Sequence, residues 1–265
     1  MAVTAFHHLA LIITHLDATL KLYQEGMGLK LWHVWGRASK DYILDLGDDS
    51  YLEIMEETHD EPVPASCWQR LNLRTDNIRR SVDSAVAAGA VLKEDVHLIS
   101  YEAAMPSPYS YYAATVIGAE GEEIGFVQEI GQESEYACKV HSVVLRVTDL
   151  SRTVRVYQES FGFFAGPVNE EKQTCTLDLR GGVTLQLVKE DYQAPLPRGL
   201  FAHIAFKDTN IHRRYQWAGE HGMRLNFPPV LCDVSEATPF PVQFWSAGTS
   251  GPDGEDVTLS QDVII

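Results

Sequence analysis

The chain repeats itself, and that relation limits its folds more than any single motif does. Tyr23-Gln24-Glu25 and Gly28 return as Tyr157-Gln158-Glu159 and Gly162, a shift of 134 residues. Arg70-Leu-Asn-Leu-Arg, followed by Ile78, Val82, Ala85 and Gly89, returns as His203-Ile-Ala-Phe-Lys, followed by Ile211, Tyr215, Ala218 and Gly222, a shift of 133. Agreement between independent shifts marks a tandem duplication, and each half is itself two related units. Each unit opens on a short apolar strand and runs into an amphipathic helix. In the first, His7 to Ile13 precede Leu16, Leu20, Tyr23 and Met27 at helical spacing, with Asp17 expected to cap the first turn. In the third, His141 to Val147 precede Leu150-Ser151, expected as the cap, and Val154, Tyr157 and Phe161.

One strand, one helix and further strands cannot bury a sheet face alone, so such units must pair. The expected fold class is α+β: four βαβββ units from tandem duplication, paired into curved mixed sheets around cavities. The first half spans residues 1–130, with units 6–57 and 68–128. The second spans 139–265, with units 140–190 and 199–262, and the polar stretch Glu129 to Lys139 is the boundary. Pro62 and Pro64 mark one connector, and Ala194-Pro-Leu-Pro-Arg-Gly199 marks the other.

The chain of 265 residues carries a formal net charge of -16 with no Lys/Arg run, which argues against nucleic acid as a partner. Cys67, Cys138, Cys175 and Cys232 are widely spaced with no CxxC pair, so reduced thiols and a cytoplasmic location are expected. Leu9 to Ile13 is too short to span a bilayer, and no membrane partner is expected. A small-molecule substrate is the expected partner, for a monomer or a homodimer.

Within the first unit, Ser50 to Met55 alternates so that Tyr51, Glu53 and Met55 share a face. A carboxylate thereby joins the interior candidates. Met105-Pro106-Ser107-Pro108-Tyr109 breaks regular structure beside Tyr111 and Tyr112, and these rings either lid a ligand or pack over a sheet edge.

His8 through Leu16-Asp17 with Tyr23 and Gly28, Tyr51-Leu-Glu-Ile-Met55, His203-Ile-Ala-Phe with Gly222, and Gly251-Pro-Asp-Gly254 before the last strand resemble the vicinal oxygen chelate superfamily. That superfamily includes glyoxalase I, extradiol dioxygenases and bleomycin-binding proteins. The resemblance covers essentially the whole chain. It implies a divalent metal held by first and last strands of two paired units. Carried over by position, the first strands offer His8, Arg70, Ser142 and His203, and the last strands offer Glu53, Gly125, Gln186 and Thr258.

If units one and four pair, His8, Glu53 and His203 form one metal site, for Fe(II), Mn(II), Ni(II), Co(II) or Zn(II), and units two and three form a site without metal ligands. If one pairs with two, the ligands are split. The resemblance implies a metal-dependent enzyme acting on vicinal oxygens, of lyase/isomerase or oxygenase type, with Glu53 as its catalytic carboxylate and Tyr109, Tyr111, Trp245 and Thr258 against substrate. Thr258 replaces the family's second carboxylate, which argues against ordinary glyoxalase chemistry. The acid-base histidine of extradiol dioxygenases has no counterpart in Asp191 to Leu200, and Trp245 lies near where their tyrosine is expected. The competing reading is a metal-free binding or resistance protein that uses the aromatic residues Trp32, Trp35, Trp245 and Tyr109 to Tyr112.

Overall fold

The computed structural model describes residues 5–36, 40–47, 49–57, 64–101, 109–131, 138–234 and 242–263. Four repeats of strand, helix and strands follow one another. The first holds β1 (Ala5–Ile13), α1 (Leu16–Lys21, continued by a π-helical turn Leu22–Gly26), β2 (Lys30–Trp35), β3 (Asp41–Gly47) and β4 (Ser50–Glu56). The second holds β5 (Trp68–Arg74), α2 (Ile78–Ala87), β6 (Val91–Tyr101), β7 (Tyr109–Ile117) and β8 (Glu123–Glu129). The third holds β9 (Lys139–Val147), α3 (Leu150–Phe161), β10 (Phe164–Ala165), β11 (Thr174–Asp178) and β12 (Thr184–Lys189). The fourth holds β13 (Phe201–Lys207), α4 (Ile211–Glu220), β14 (Arg224–Asp233), β15 (Gln243–Ser250) and β16 (Asp256–Asp262).

Three helices begin on a side-chain cap. Asn77, Asp149 and Asn210 accept hydrogen bonds from the backbone N–H of Arg80 (3.1 Å), Arg152 (2.9 Å) and Arg213 (3.2 Å). The caps expected at Asp17 and at Leu150-Ser151 are therefore corrected. Asp149 caps α3, and His15 precedes α1 without a side-chain cap.

The strands form two eight-stranded mixed sheets. One runs β14-β15-β16-β13-β1-β4-β3-β2 and joins units one and four; the other runs β10-β11-β12-β9-β5-β8-β7-β6 and joins units two and three. The expectation of curved sheets around cavities is corrected here. Among the described residues each sheet is open, and its terminal strands have no hydrogen-bonded partner beyond it. Pairing each unit with another through its first strand already completes the apolar face, so closure is not needed to bury it.

Alternation along the strands divides each sheet into an apolar and a polar face. Leu9, Leu11 and Ile13 of β1, Leu71 and Leu73 of β5, and Val143 and Leu145 of β9 are fully buried in one core shared with the helices. The same strands turn His8, Asn72 and Ser142 the other way. Where the π-helical turn after α1 packs against the end of α2, a Cβ on Gly26 would meet the Ala88 Cβ at 2.9 Å, so the close approach excludes a side chain.

A duplicated lock ties the two sheets within each half. The Tyr23 hydroxyl donates to Glu122 Oε1 (3.1 Å), and the Tyr157 hydroxyl donates to Glu255 Oε1 (3.0 Å). The other carboxylate oxygen accepts from the backbone N–H of Glu120 or Asp253, each at 2.9 Å. Burial is the main cause that pushes both glutamates up to about 7. The repeated tyrosine in the sequence is thus half of a buried pair.

Candidate metal centre

The candidate site begins with a defect in β1. Phe6 pairs with Phe206 and His8 pairs with Ala205, so His7 is an extra residue in the ladder between them. Such a bulge re-aims the side chain beside it. Phe6 and Leu9 enter the core, while the rings of His7 and His8 lie 5.0 Å apart. Beyond the bulge, Ala10 pairs with His203 of β13 on one side and with Glu53 of β4 on the other. In-register residues of neighbouring strands share a face, so His203 and Glu53 flank β1 beside His8.

The three donors converge. His8 Nε2 lies 3.0 Å from His203 Nε2 and 3.4 Å from Glu53 Oε2, and His203 Nε2 lies 3.7 Å from the same oxygen. Donors held about 2.1 Å from one ion, at octahedral to tetrahedral angles, stand about 3.0 to 3.4 Å apart. Two of the three spacings fall in that range and the third, 3.7 Å, lies 0.3 Å beyond it, so the cluster can chelate a shared divalent cation with a small inward shift of His203 or Glu53. The expected metal set of His8, Glu53 and His203 is brought together because units one and four share a sheet.

Burial also prepares the charges. It is the first cause that lowers His203 to about 4, with the Arg198 cation second, and it holds His8 well below the usual range, followed by His7 and His203. Burial raises Glu53 to about 8, with Asp41 adding to the rise. Both imidazoles are therefore in their neutral, ligating form, and the His–Glu contacts are those of neutral groups rather than ion pairs.

An aromatic layer surrounds the cluster. Tyr51 stacks on His8 (4.6 Å, 15°) and meets His7 edge-on (4.9 Å, 70°). Trp35 meets Tyr51 edge-on at 5.8 Å and stacks with Phe244 at 5.8 Å. Ile43 and Ala10 are fully buried on the same side. His7 and Phe244 were not singled out from the sequence as site residues, and Trp35 was named only for the metal-free binding reading. The paired His7-His8 was visible, but only a bulge lets both rings serve one face, and no residue type announces it.

The other expected site residues are divided. Thr258 pairs with Ala205, which pairs with His8, so it shares the cluster's face. Trp245 alternates to the helix side, where its ring meets His212 of α4 at 4.9 Å, and Phe244 takes the cluster side. Tyr111 belongs to β7 of the other sheet, with its ring 6.1 Å from His141. Tyr109 is also on β7, but its side chain, like Met105 to Pro108, lies outside the described residues.

The second sheet places Ser142, Gln186, Arg70 and Gly125 where the first has His8, Glu53, His203 and Thr258. Asn72 Nδ2 donates to Ser142 Oγ (2.8 Å), and Arg70 Nη1 donates to Thr115 Oγ1 (3.2 Å). No metal-type cluster other than that of His8, Glu53 and His203 occurs among the described residues. A cleft of about 660 Å³ lined by Ser66, Trp68, Gln69, Glu123 and Arg146 contains none of the three donors. Donor chemistry rather than cavity size locates the site. No helix among the described residues is long and apolar enough to cross a membrane.

Residues 139–232 match the family described as the Glyoxalase/Bleomycin resistance protein/Dioxygenase superfamily. Glyoxalase I from Zea mays is similar in fold, with a TM-score of 0.75 at 15% identity over 97% of this chain and 92% of that one. A putative dioxygenase from Bacillus subtilis is also similar, with a TM-score of 0.71 at 10% identity over 98% of this chain and 86% of that one. No curated protein matches the chain.

Proposed function

We propose that this chain, whose residues 139–232 match the glyoxalase, bleomycin resistance protein and dioxygenase superfamily, is a member of it and a divalent-metal-dependent enzyme for a small substrate with vicinal oxygens, of oxygenase type. The observation that carries the reading is the donor set: His8 Nε2, His203 Nε2 and Glu53 Oε2, 3.0 to 3.7 Å apart. Three protein donors leave positions open for both oxygens of a substrate, and two histidines with one carboxylate suit Fe(II) oxygenases. Lyase or isomerase chemistry needs a free base beside the ion. Thr258 supplies only a weakly basic hydroxyl, and Glu53 is engaged as a donor.

A bound divalent cation supplies Lewis-acid polarisation of adjacent substrate oxygens and, where redox-active, electron transfer with dioxygen. Glu53 contributes the one negative charge that offsets the cation. Tyr51 covers His8, and Ile43 and Ala10 keep water from the floor of the site. Trp35 and Phe244 offer a wall for a flat apolar substrate such as a catechol. The Trp35 indole N–H is buried without a hydrogen-bond partner among the described residues, and we assign it as donor to a substrate oxygen. Thr258 is a second polar contact for substrate. We take the duplicated halves as residues 1–130 and 139–265, each giving one unit to each sheet.

Mass spectrometry on untagged protein handled anaerobically tests the reading. Near-stoichiometric metal that disappears in His203→Ala, with oxygen uptake on adding a catechol to the Fe(II)-loaded protein, is the expected result. Metal without oxygen uptake on any vicinal-oxygen substrate would turn the assignment to lyase or isomerase chemistry. No metal, and none taken up on titration, would leave a metal-free binding protein.

A further inference from the structure

The bulge in β1 does more than turn His8. It brings His7 Nδ1 to 3.0 Å from His8 Nδ1, and two ring nitrogens at that distance need one proton between them. His8 Nε2 faces His203 and Glu53. For that nitrogen to offer a lone pair to a cation, the single proton of neutral His8 must sit on Nδ1. The proton then points at His7 Nδ1, which is left as acceptor, and His7 carries its own proton on Nε2.

We propose that His7 is a positioning residue which fixes the Nδ1–H tautomer of His8 and so presents Nε2 as a preset metal donor. The inference rests on the metal-centre reading above. Tyr51 packs on both rings at 4.6 and 4.9 Å and holds them against rotation. With this assignment the same polarity runs unbroken through the two contacts in the metal-free protein: His203 Nε2–H donates to His8 Nε2 across 3.0 Å, and His8 Nδ1–H donates to His7 Nδ1 across 3.0 Å. Cation entry then asks His203 to move its proton from Nε2 to Nδ1 and Glu53 to release its carboxyl proton, while His8 stays as it is.

The second sheet separates the bulge from the imidazole pair. There Asn72 pairs with Ser142 and Leu73 with Val140, so His141 is the extra residue, and its Nδ1 meets the Ser142 hydroxyl at 3.1 Å. The backbone device is common to both sheets. The imidazole pair stands in the sheet that holds the metal donors.

Zinc titration against a competing chelator and 15N–1H spectra of the histidine rings test this on the whole chain. His7→Phe keeps a ring and removes the acceptor; His7→Asn returns an acceptor oxygen near the place of Nδ1. In wild type, His8 should carry its proton on Nδ1. His7→Phe should bind Zn(II) about 10- to 100-fold more weakly, the usual scale for losing a metal ligand's orienting partner, with a mixed His8 tautomer. His7→Asn should recover most of the affinity. Equal zinc affinity in wild type and His7→Phe, or a wild-type His8 protonated on Nε2, would overturn the proposal while leaving the metal centre standing. Wild type that takes up no divalent cation would overturn the metal-centre reading and this inference with it.

Discussion

His8 and Ser142 hold the same place in two sheets, each the residue after the extra one in a bulged first strand. Around them Glu53 answers to Gln186, His203 to Arg70 and Thr258 to Gly125. The pairing is alike and the chemistry is not. Strand alternation explains how this is tolerated. Residues that hold the helices against a sheet point into the core, and those of the site point away, so the polar face can change its donors without disturbing the apolar one. The Tyr23–Glu122 and Tyr157–Glu255 locks, which lie in that core, are alike in both halves.

The largest contrast should appear in metal uptake. His203→Ala removes one of three donors and should weaken divalent-ion binding by more than about 100-fold, since each donor adds a direct bond to the ion. Arg70→Ala and Gln186→Ala, at the matching places in the other sheet, should leave uptake unchanged. Metal content after dialysis, measured side by side, checks both. Equal losses would mean that the second sheet also holds an ion.

The locks should make the halves indistinguishable in stability. Both glutamates are raised from the ordinary carboxyl value of 4.5 to about 7, chiefly by burial. A carboxyl raised by folding favours the protonated folded state, so its stabilisation is full below about 4.5 and is lost as pH rises through about 7. The loss is on the order of 3 kcal/mol for each group. Urea midpoints should therefore fall across that window, and Glu122→Gln and Glu255→Gln should each remove about half of the fall attributable to the two locks. A fall removed by one variant alone would show that the locks differ. Tyr23→Phe and Tyr157→Phe should each cost about 1 to 2 kcal/mol by leaving a buried carboxyl short of a donor, with nearly equal drops in Tm.

Much of this was legible in the sequence because duplication writes the same physical constraint twice. The shift between Gly121 and Gly254, 133 residues, marks turns whose glutamates press against Gly118 and Gly251, where an added Cβ would meet carboxylate oxygens at 2.1 and 1.9 Å. The metal donors were legible once strand registers were aligned, because His8, Glu53 and His203 stand at matching places of paired units. Which units pair was not, since long-range strand order leaves no local mark. Nor was the face of Trp245: a one-residue change of register exchanges it with Phe244 and moves an aromatic ring from the helices to the site. Closure of the sheets was inferred from the need to bury an apolar face, and the shared helix-covered core meets that need with open sheets.

The smallest expected effect bears on the second sheet alone. Ser142 accepts from Asn72 Nδ2 at 2.8 Å and contacts His141 Nδ1 at 3.1 Å, and both Ser142 and Asn72 are buried. Ser142→Ala removes a hydroxyl of that network without changing the strand, so its cost should be near that of one hydrogen bond, about 1 kcal/mol. Urea denaturation is sensitive enough to read it. Metal affinity at His8, Glu53 and His203 should stay within error, because the serine and the donors belong to different sheets. A change in metal affinity comparable to that of His7→Phe would show that the two faces are coupled, and the serine would then be part of the working site rather than the polar filling of its counterpart.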